Sequence, residues 1–124
     1  MLSTKKLIYK ILNLPLVVEE GSSGGWTYRK WSNGTSECWL NYTESTAQAF
    51  NSTGNVFYRV IEGLNFPSGT FISQPTVVAT VDSGSISSCM TANVSYRTCS
   101  VAVMSSTNTA RAVSIRLYAK GRWK

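Results

Sequence analysis

At 124 residues the chain is long enough for one domain with a modest core, held without disulfide staples. Only 15% of it is charged and 43% is hydrophobic, with Ser, Thr and β-forming residues plentiful, which is the composition of an all-β domain of many short strands. The net charge is +6, but the cations are scattered (Lys5, Lys6 and Lys10; Arg29 and Lys30; Arg111 to Lys124), which argues against a nucleic-acid partner and leaves a basic surface suited to an acidic cell-surface one.

Residues 1–14 read as a short helix capped by Ser3. Thr4, Leu7, Ile11 and Leu14 follow the spacing of a coiled-coil seam, and Pro15 stops the helix because the residue before a proline leaves the α region. So short a seam is not stable alone, so it packs on its own domain or is completed by neighbouring copies. Lys10 and Asn13 interrupt the apolar run and no small-residue cleavage pattern follows, so the segment does not read as a signal peptide, and no stretch is long enough to span a membrane. The division expected is residues 1–15 as helix or stalk end and 16–124 as the β domain.

Leu16 to Glu20 reads as a first strand and Gly21 to Gly25 as a flexible joint. The stretch Trp26 to Trp39 reads as a β-hairpin around Asn33-Gly34, taken as a two-residue type I′ loop. That register sets Lys30 opposite Glu37, Tyr28 opposite Trp39 and Arg29 opposite Cys38. Trp26, Tyr28 and Trp39 then share the packing face, and Arg29, Trp31, Cys38 and Leu40 the other. Thr43 to Gly54 reads as a loop. Strands follow at Asn55 to Glu62, Thr70 to Ile72, Thr76 to Val81, Met90 to Tyr96 and Cys99 to Met104. Turns are expected at Phe66 to Gly69 and Asp82 to Ser88, and a loop at Ser105 to Ala110. Arg111 to Lys120 alternates cleanly, with Val113, Ile115, Leu117 and Ala119 on one face. Eight to ten such strands imply an antiparallel β-sandwich or barrel, and the sandwich is the fold expected here.

The three cysteines, Cys38, Cys89 and Cys99, form no CxxC and cannot all pair in one chain, so buried free thiols in a reducing compartment are expected. With no histidine, neither a metal site nor a cofactor is expected. One aspartate and no histidine also make a thin acid/base inventory, so the chain does not read as an enzyme. Four N-x-[ST] sequons, at Asn33, Asn41, Asn51 and Asn93, decide nothing in a chain so rich in Ser and Thr.

The Trp-rich hairpin (Trp26, Arg29, Lys30, Trp31, Gly34, Glu37, Cys38, Trp39), then Phe66 to Phe71, Pro75, and Ala119 to Lys124 resemble, in that order, a known family. It is the C-terminal module of tail-fibre and minor structural proteins from phages and prophages of Gram-positive bacteria. From about Phe66 onward the chain is also similar to the H-type lectin sandwich. The resemblance implies a homotrimer at the far end of a fibre or baseplate, made in the bacterial host cytoplasm and carried in the virion tail. It also implies binding to a host surface polysaccharide during adsorption, with other tail or baseplate proteins as partners. The alternative is a structural tail protein or adaptor without a ligand. Sugars stack their apolar C–H faces on aromatic rings and offer hydroxyls or anionic groups to cations. The candidate glycan-binding residues are therefore Trp31, Tyr42, Tyr96 and Trp123 as platforms, with Arg29, Arg97 and Arg122 as donors. Trp31 is favoured because it lies off the packing face.

Overall fold

The computed structural model describes residues 3–12, 14–83 and 86–124, with the side chains of residues 9–11 left aside. Among the described residues one helix, α1 (Thr4–Ile11), precedes nine strands. The Ser3 hydroxyl accepts the Lys6 N–H at 3.2 Å, so Ser3 is the N-cap that the sequence suggested. Leu7 and Leu14 of the expected seam are half-exposed, and its third apolar member, Ile11, has its side chain outside the described residues.

The strands form an antiparallel sandwich of two sheets. The first has the order β1-β2-β3-β9-β6, built from β1 (Val17–Ser23), β2 (Trp26–Trp31), β3 (Thr35–Thr43), β6 (Thr76–Asp82) and β9 (Ser114–Arg122). The second has the order β4-β5-β8-β7, from β4 (Asn51–Thr53), β5 (Val56–Asn65), β7 (Ser87–Ala92) and β8 (Thr98–Ser105). The C-terminal strand thus lies inside the first sheet, with its alternating Ile115, Leu117 and Ala119 buried against Val101, Val103 and Ile61 of the second. Trp26 fills one end of this core, edge-on to Phe66, which in turn meets Phe71 edge-on.

The Trp26 to Trp39 hairpin exists, but its register is one residue from that expected. Trp26 faces Leu40, Tyr28 faces Cys38 and Arg29 faces Glu37. The loop has three residues. The Gly34 N–H closes a turn on the Trp31 carbonyl, and Gly34 follows in the left-handed region at φ 92°, the arrangement of a three-residue hairpin with a bulge. A one-residue slip exchanges the faces of one strand. Cys38 and Leu40 are therefore core residues, while Trp39 lies outward, under the Arg29 guanidinium. The expected Lys30–Glu37 pair is absent. Lys30 instead pairs with Glu19 at 3.0 Å and Arg29 with Glu20 at 3.4 Å. These partners lie on β1, because Gly21 to Ser23 is strand and the expected flexible joint is only the tight turn at Gly24-Gly25. Both glycines have positive φ and Ser23 faces Trp26, so the two-residue type I′ turn is here.

Three further expectations change. The strand expected at Met90 to Tyr96 is β7, Ser87–Ala92, which begins within the turn expected at Asp82 to Ser88 and stops before Asn93, whose φ is 51°. Thr43 to Gly54 is not wholly loop, since β3 runs to Thr43 and β4 occupies Asn51–Thr53. Thr70 to Ile72 is not a strand. The buried Thr70 hydroxyl donates to the Pro67 carbonyl at 2.7 Å and the Thr70 carbonyl accepts from the Ser36 hydroxyl at 2.6 Å, which curls the segment under β3. The cysteines are free, Cys38 and Cys99 fully buried and Cys89 partly so. Burial, then Cys99 and Glu37 nearby, pushes the Cys38 thiol up to about 12, and burial pushes Cys99 up to about 11, so neither is a thiolate at neutral pH.

Candidate functional site

The ends of β2, β5, β7 and β9 and the starts of β3, β6 and β8 meet at one end of the sandwich, along with the C-terminal residues 122–124. Five of the seven candidate residues gather there: Trp31, Tyr96, Arg97, Arg122 and Trp123. Arg29 lies on the outward face of β2, two residues before Trp31. Tyr42 is at the opposite end of β3, so it cannot share a site with the others.

The C-terminal tail clamps the hairpin loop. Arg122 donates to the Asn33 carbonyl at 3.1 Å and to the Lys124 carbonyl at 3.2 Å, and the Trp123 N–H to the Gly34 carbonyl at 3.0 Å. The Trp123 indole N–H reaches the Trp31 carbonyl at 2.8 Å. A side chain on Gly34 would run into the Arg122 guanidinium and crowd the Lys124 carbonyl, and the left-handed backbone there favours glycine in its own right. Lys30 lies 5.6 Å and Lys124 5.0 Å from the centre of the Trp123 ring. The Trp31 side chain stands outside this clamp and forms a wall shared by two surface hollows, one of about 520 Å³ beneath α1 and β1 and one of about 250 Å³ beside Glu37 and Lys120.

Next to the clamp, the segment 65–71 and the β7–β8 loop enclose an open cleft of about 470 Å³. Its walls are Asn65, Phe66, Ser68, Phe71, Tyr96 and Arg97, with Pro67 and Gly69 between them. The loop is set by its own bonds. Ser95 Oγ accepts the N–H groups of Arg97 and Thr98, each at 3.2 Å, and the Arg97 carbonyl accepts the Phe66 N–H at 2.9 Å. Tyr96 is 44% exposed and the Arg97 guanidinium lies 5.0 Å from its ring centre, so one ring and one cation are presented together at a fixed place. Asn65 and Ser68 supply polar neighbours. This ring, cation and polar rim can hold a flat polyhydroxylated or anionic ligand. The cleft was legible in the sequence only through Tyr96 and Arg97, because Asn65 and Ser68 reach it by the β5–β8 pairing and the fold of the Pro67 turn.

The opposite end holds a polar cluster that the sequence reading did not identify. Glu44 accepts both terminal nitrogens of Arg59, at 2.5 and 2.6 Å, and the Val113 N–H at 3.0 Å. The Arg59 and Glu44 side chains are 12% and 9% exposed. Burial alone would raise the Glu44 pKa, but the Arg59 and Val113 hydrogen bonds and the Arg59 charge outweigh it and hold it below the ordinary value. Arg59 and Arg111 both lie over Phe50, at 5.1 and 4.6 Å. Among the described residues no cluster of His, Cys, Asp and Glu could hold a metal ion, and no helix is long and apolar enough to cross a membrane.

No family model and no curated protein matches the chain. Two solved structures are similar in fold. The first is an N-truncated R1-type pyocin tail fibre, 16% identical with a TM-score of 0.57, matching over 97% of this chain and 98% of that one. The second is a longer C-terminal fragment of the P. aeruginosa R1 pyocin fibre, 18% identical with a TM-score of 0.56, of which this chain covers 32%.

Proposed function

We propose that the chain is a tip module of a phage or phage-like tail fibre and that it binds a host-surface glycan in the Tyr96–Arg97 cleft. The observation that carries this reading is the convergence of an exposed ring, its stacked cation and two polar side chains in one open cleft, at the end where the strand termini meet. The fold similarity to a pyocin tail fibre over nearly the whole of both chains supports the setting. A sugar's apolar face lies on Tyr96 while Arg97, Asn65 and Ser68 take its hydroxyls or an acidic group. Trp31 lies on the same end and offers a second contact for a longer polysaccharide. Arg122 and Trp123 hold the hairpin loop instead. In this reading the protein is a homotrimer in the virion tail, made in the host cytoplasm and joined to other tail or baseplate proteins, and three copies of a weak site gain avidity on a repetitive surface.

The test is binding of the purified chain to a panel of bacterial surface polysaccharides. Loss of binding in Tyr96→Ala, with binding kept in Tyr42→Ala at the opposite end, is the expected result. Failure of the wild type to bind any of them overturns the glycan reading and favours a structural tail part, to which the C-terminal clamp would equally belong.

A further inference from the structure

The two sheets present different outer surfaces. On the first, register lines up Glu20, Arg29, Glu37, Lys120 and Thr76 across the five strands; the next row, Ser22, Thr27, Trp39, Tyr118 and Val78, is uncharged, but Arg116 between Asn41 and Thr80 brings charge back in the third, so charged rows flank it on both sides. On the second, Asn51, Tyr58, Met104 and Ser88 form one row, and Val60, Ala102 and Met90 the next. Val56, beside Thr53, extends it. No side chain in these rows is charged, and Glu62 stands only at the rim. Val56, Val60 and Met90 are 42%, 39% and 52% exposed, and Ile86 at the margin is 84% exposed.

We infer that this uncharged outer face of the β4-β5-β8-β7 sheet is where copies of the chain meet, lining the shared axis of a closed homo-oligomer. Two observations select a second copy as the occupant. The chain carries a net charge of +6, so identical copies repel wherever their charged surfaces approach, and this is the broad sheet face on which they can meet without opposing like charges. An uncharged, partly apolar face can also meet the same face or its flank on a second copy without specific charge pairing. Three strands about 4.8 Å apart and five residues long give a flat area of roughly 250 Å². A stable pairwise interface buries about 800 Å² on each partner, so further contacts must come from the flanks, where the edge strands β4 and β7 and Ile86 lie. The face follows from this chain's charge and register alone, whereas the number three rests on the tail-fibre reading.

Size-exclusion chromatography with light scattering on the full chain at micromolar concentration tests this. The expected result is a three-chain mass for the wild type and a one-chain mass for Val60→Asp and Met90→Lys, each with unchanged circular dichroism. Val78→Asp, at a 58% exposed position on the other sheet, keeps the wild-type mass. A one-chain wild type, persistence of the assembly in Val60→Asp and Met90→Lys, or dissociation by Val78→Asp alone overturns the inference. A two-chain mass lost in Val60→Asp supports the face and overturns the count of three. If the two face variants fail to fold, hydrogen exchange of diluted wild type decides. Protection lost mainly in β4, β5 and β7 supports the face, and loss elsewhere or none overturns it.

Discussion

Cations stack on aromatic rings at both ends of the sandwich, but the two ends surround them differently. Around Phe50, the Arg59 charge is met by a buried carboxylate, and Arg111 is held by the Thr107 hydroxyl, the Thr109 carbonyl and Ser105. That end is closed on itself and ties the 44–50 loop to β5 and the start of β9. At the other end Arg97 lies on an exposed ring beside an open cleft, and no carboxylate lines that cleft. A cation–ring contact therefore says little about function until the oxygens that take the cation's donors are located. Where carboxylate, hydroxyl or carbonyl oxygens hold it, it is a brace; where it faces an open cleft, it can meet a ligand.

The largest expected effect is at the closed end. Glu44→Gln removes one member of a buried, bidentate pair and leaves Arg59 buried without a counter-charge. Breaking such a pair costs about 3–5 kcal/mol. Chemical denaturation of the variant should show this loss, while a loss below 1 kcal/mol would mean that the pair is solvated and the two ends are alike. The same pair sets an acid response. The folded pKa of Glu44 lies below its ordinary value of 4.5, so its contribution is complete at neutral pH. It is lost as pH falls below that value and through the lowered one. Wild-type melting temperature should fall over this range, and the fall should shrink in Glu44→Gln. An identical acid dependence in both proteins would remove Glu44 from the account.

This pair also shows what the sequence could disclose. The inward residues of β9 are written in its alternation, the N-cap in Ser3, and the sandwich class in the spacing of strands and turns. Glu44 falls in the stretch that reads as a loop and Arg59, 15 residues on, in an expected strand, and nothing in the spacing pairs them; the fold that brings the 44–50 loop against β5 and the start of β9 does. The hairpin register failed for a related reason. Asn-Gly serves a two-residue loop and a three-residue loop equally well as local chemistry. Here the three-residue form is held by Arg122, 89 residues from Asn33. Because the slip exchanges faces, it put Trp39 inside and Cys38 outside in the reading from sequence.

Gly34 offers an intermediate test at the open end. Gly34→Ala places a methyl group in the left-handed region and against the Arg122 guanidinium, which is tethered to the backbone at both Asn33 and Lys124. Such strain costs about 1–3 kcal/mol. Thermal unfolding should register a destabilisation of that size, smaller than that of Glu44→Gln. A neutral result would show that the C-terminal clamp yields and that the open end is loosely held.

The smallest expected stability effect belongs to the residue on which the proposed glycan binding depends most. Tyr96 is half out of the core, takes no part in the hairpin clamp and sits in a loop whose shape is fixed by Ser95 and by the Arg97 backbone. Tyr96→Ala removes a ring without opening a cavity or stranding a buried polar group, the two causes of large losses. Its stability should stay within about 0.5 kcal/mol of the wild type. Glycan affinity should fall at least tenfold, about 1.4 kcal/mol, because the ring is the platform of the cleft. Arg97→Ala should weaken an acidic glycan more than a neutral one, since it removes the charge and leaves the ring. The comparison between the ends predicts this separation of stability from binding at Tyr96 and its opposite at Glu44, where stability falls and binding stays. If Tyr96→Ala instead unfolds the protein as severely as Glu44→Gln, the ring at the open end is a brace as well, and the cleft loses its claim to be a site.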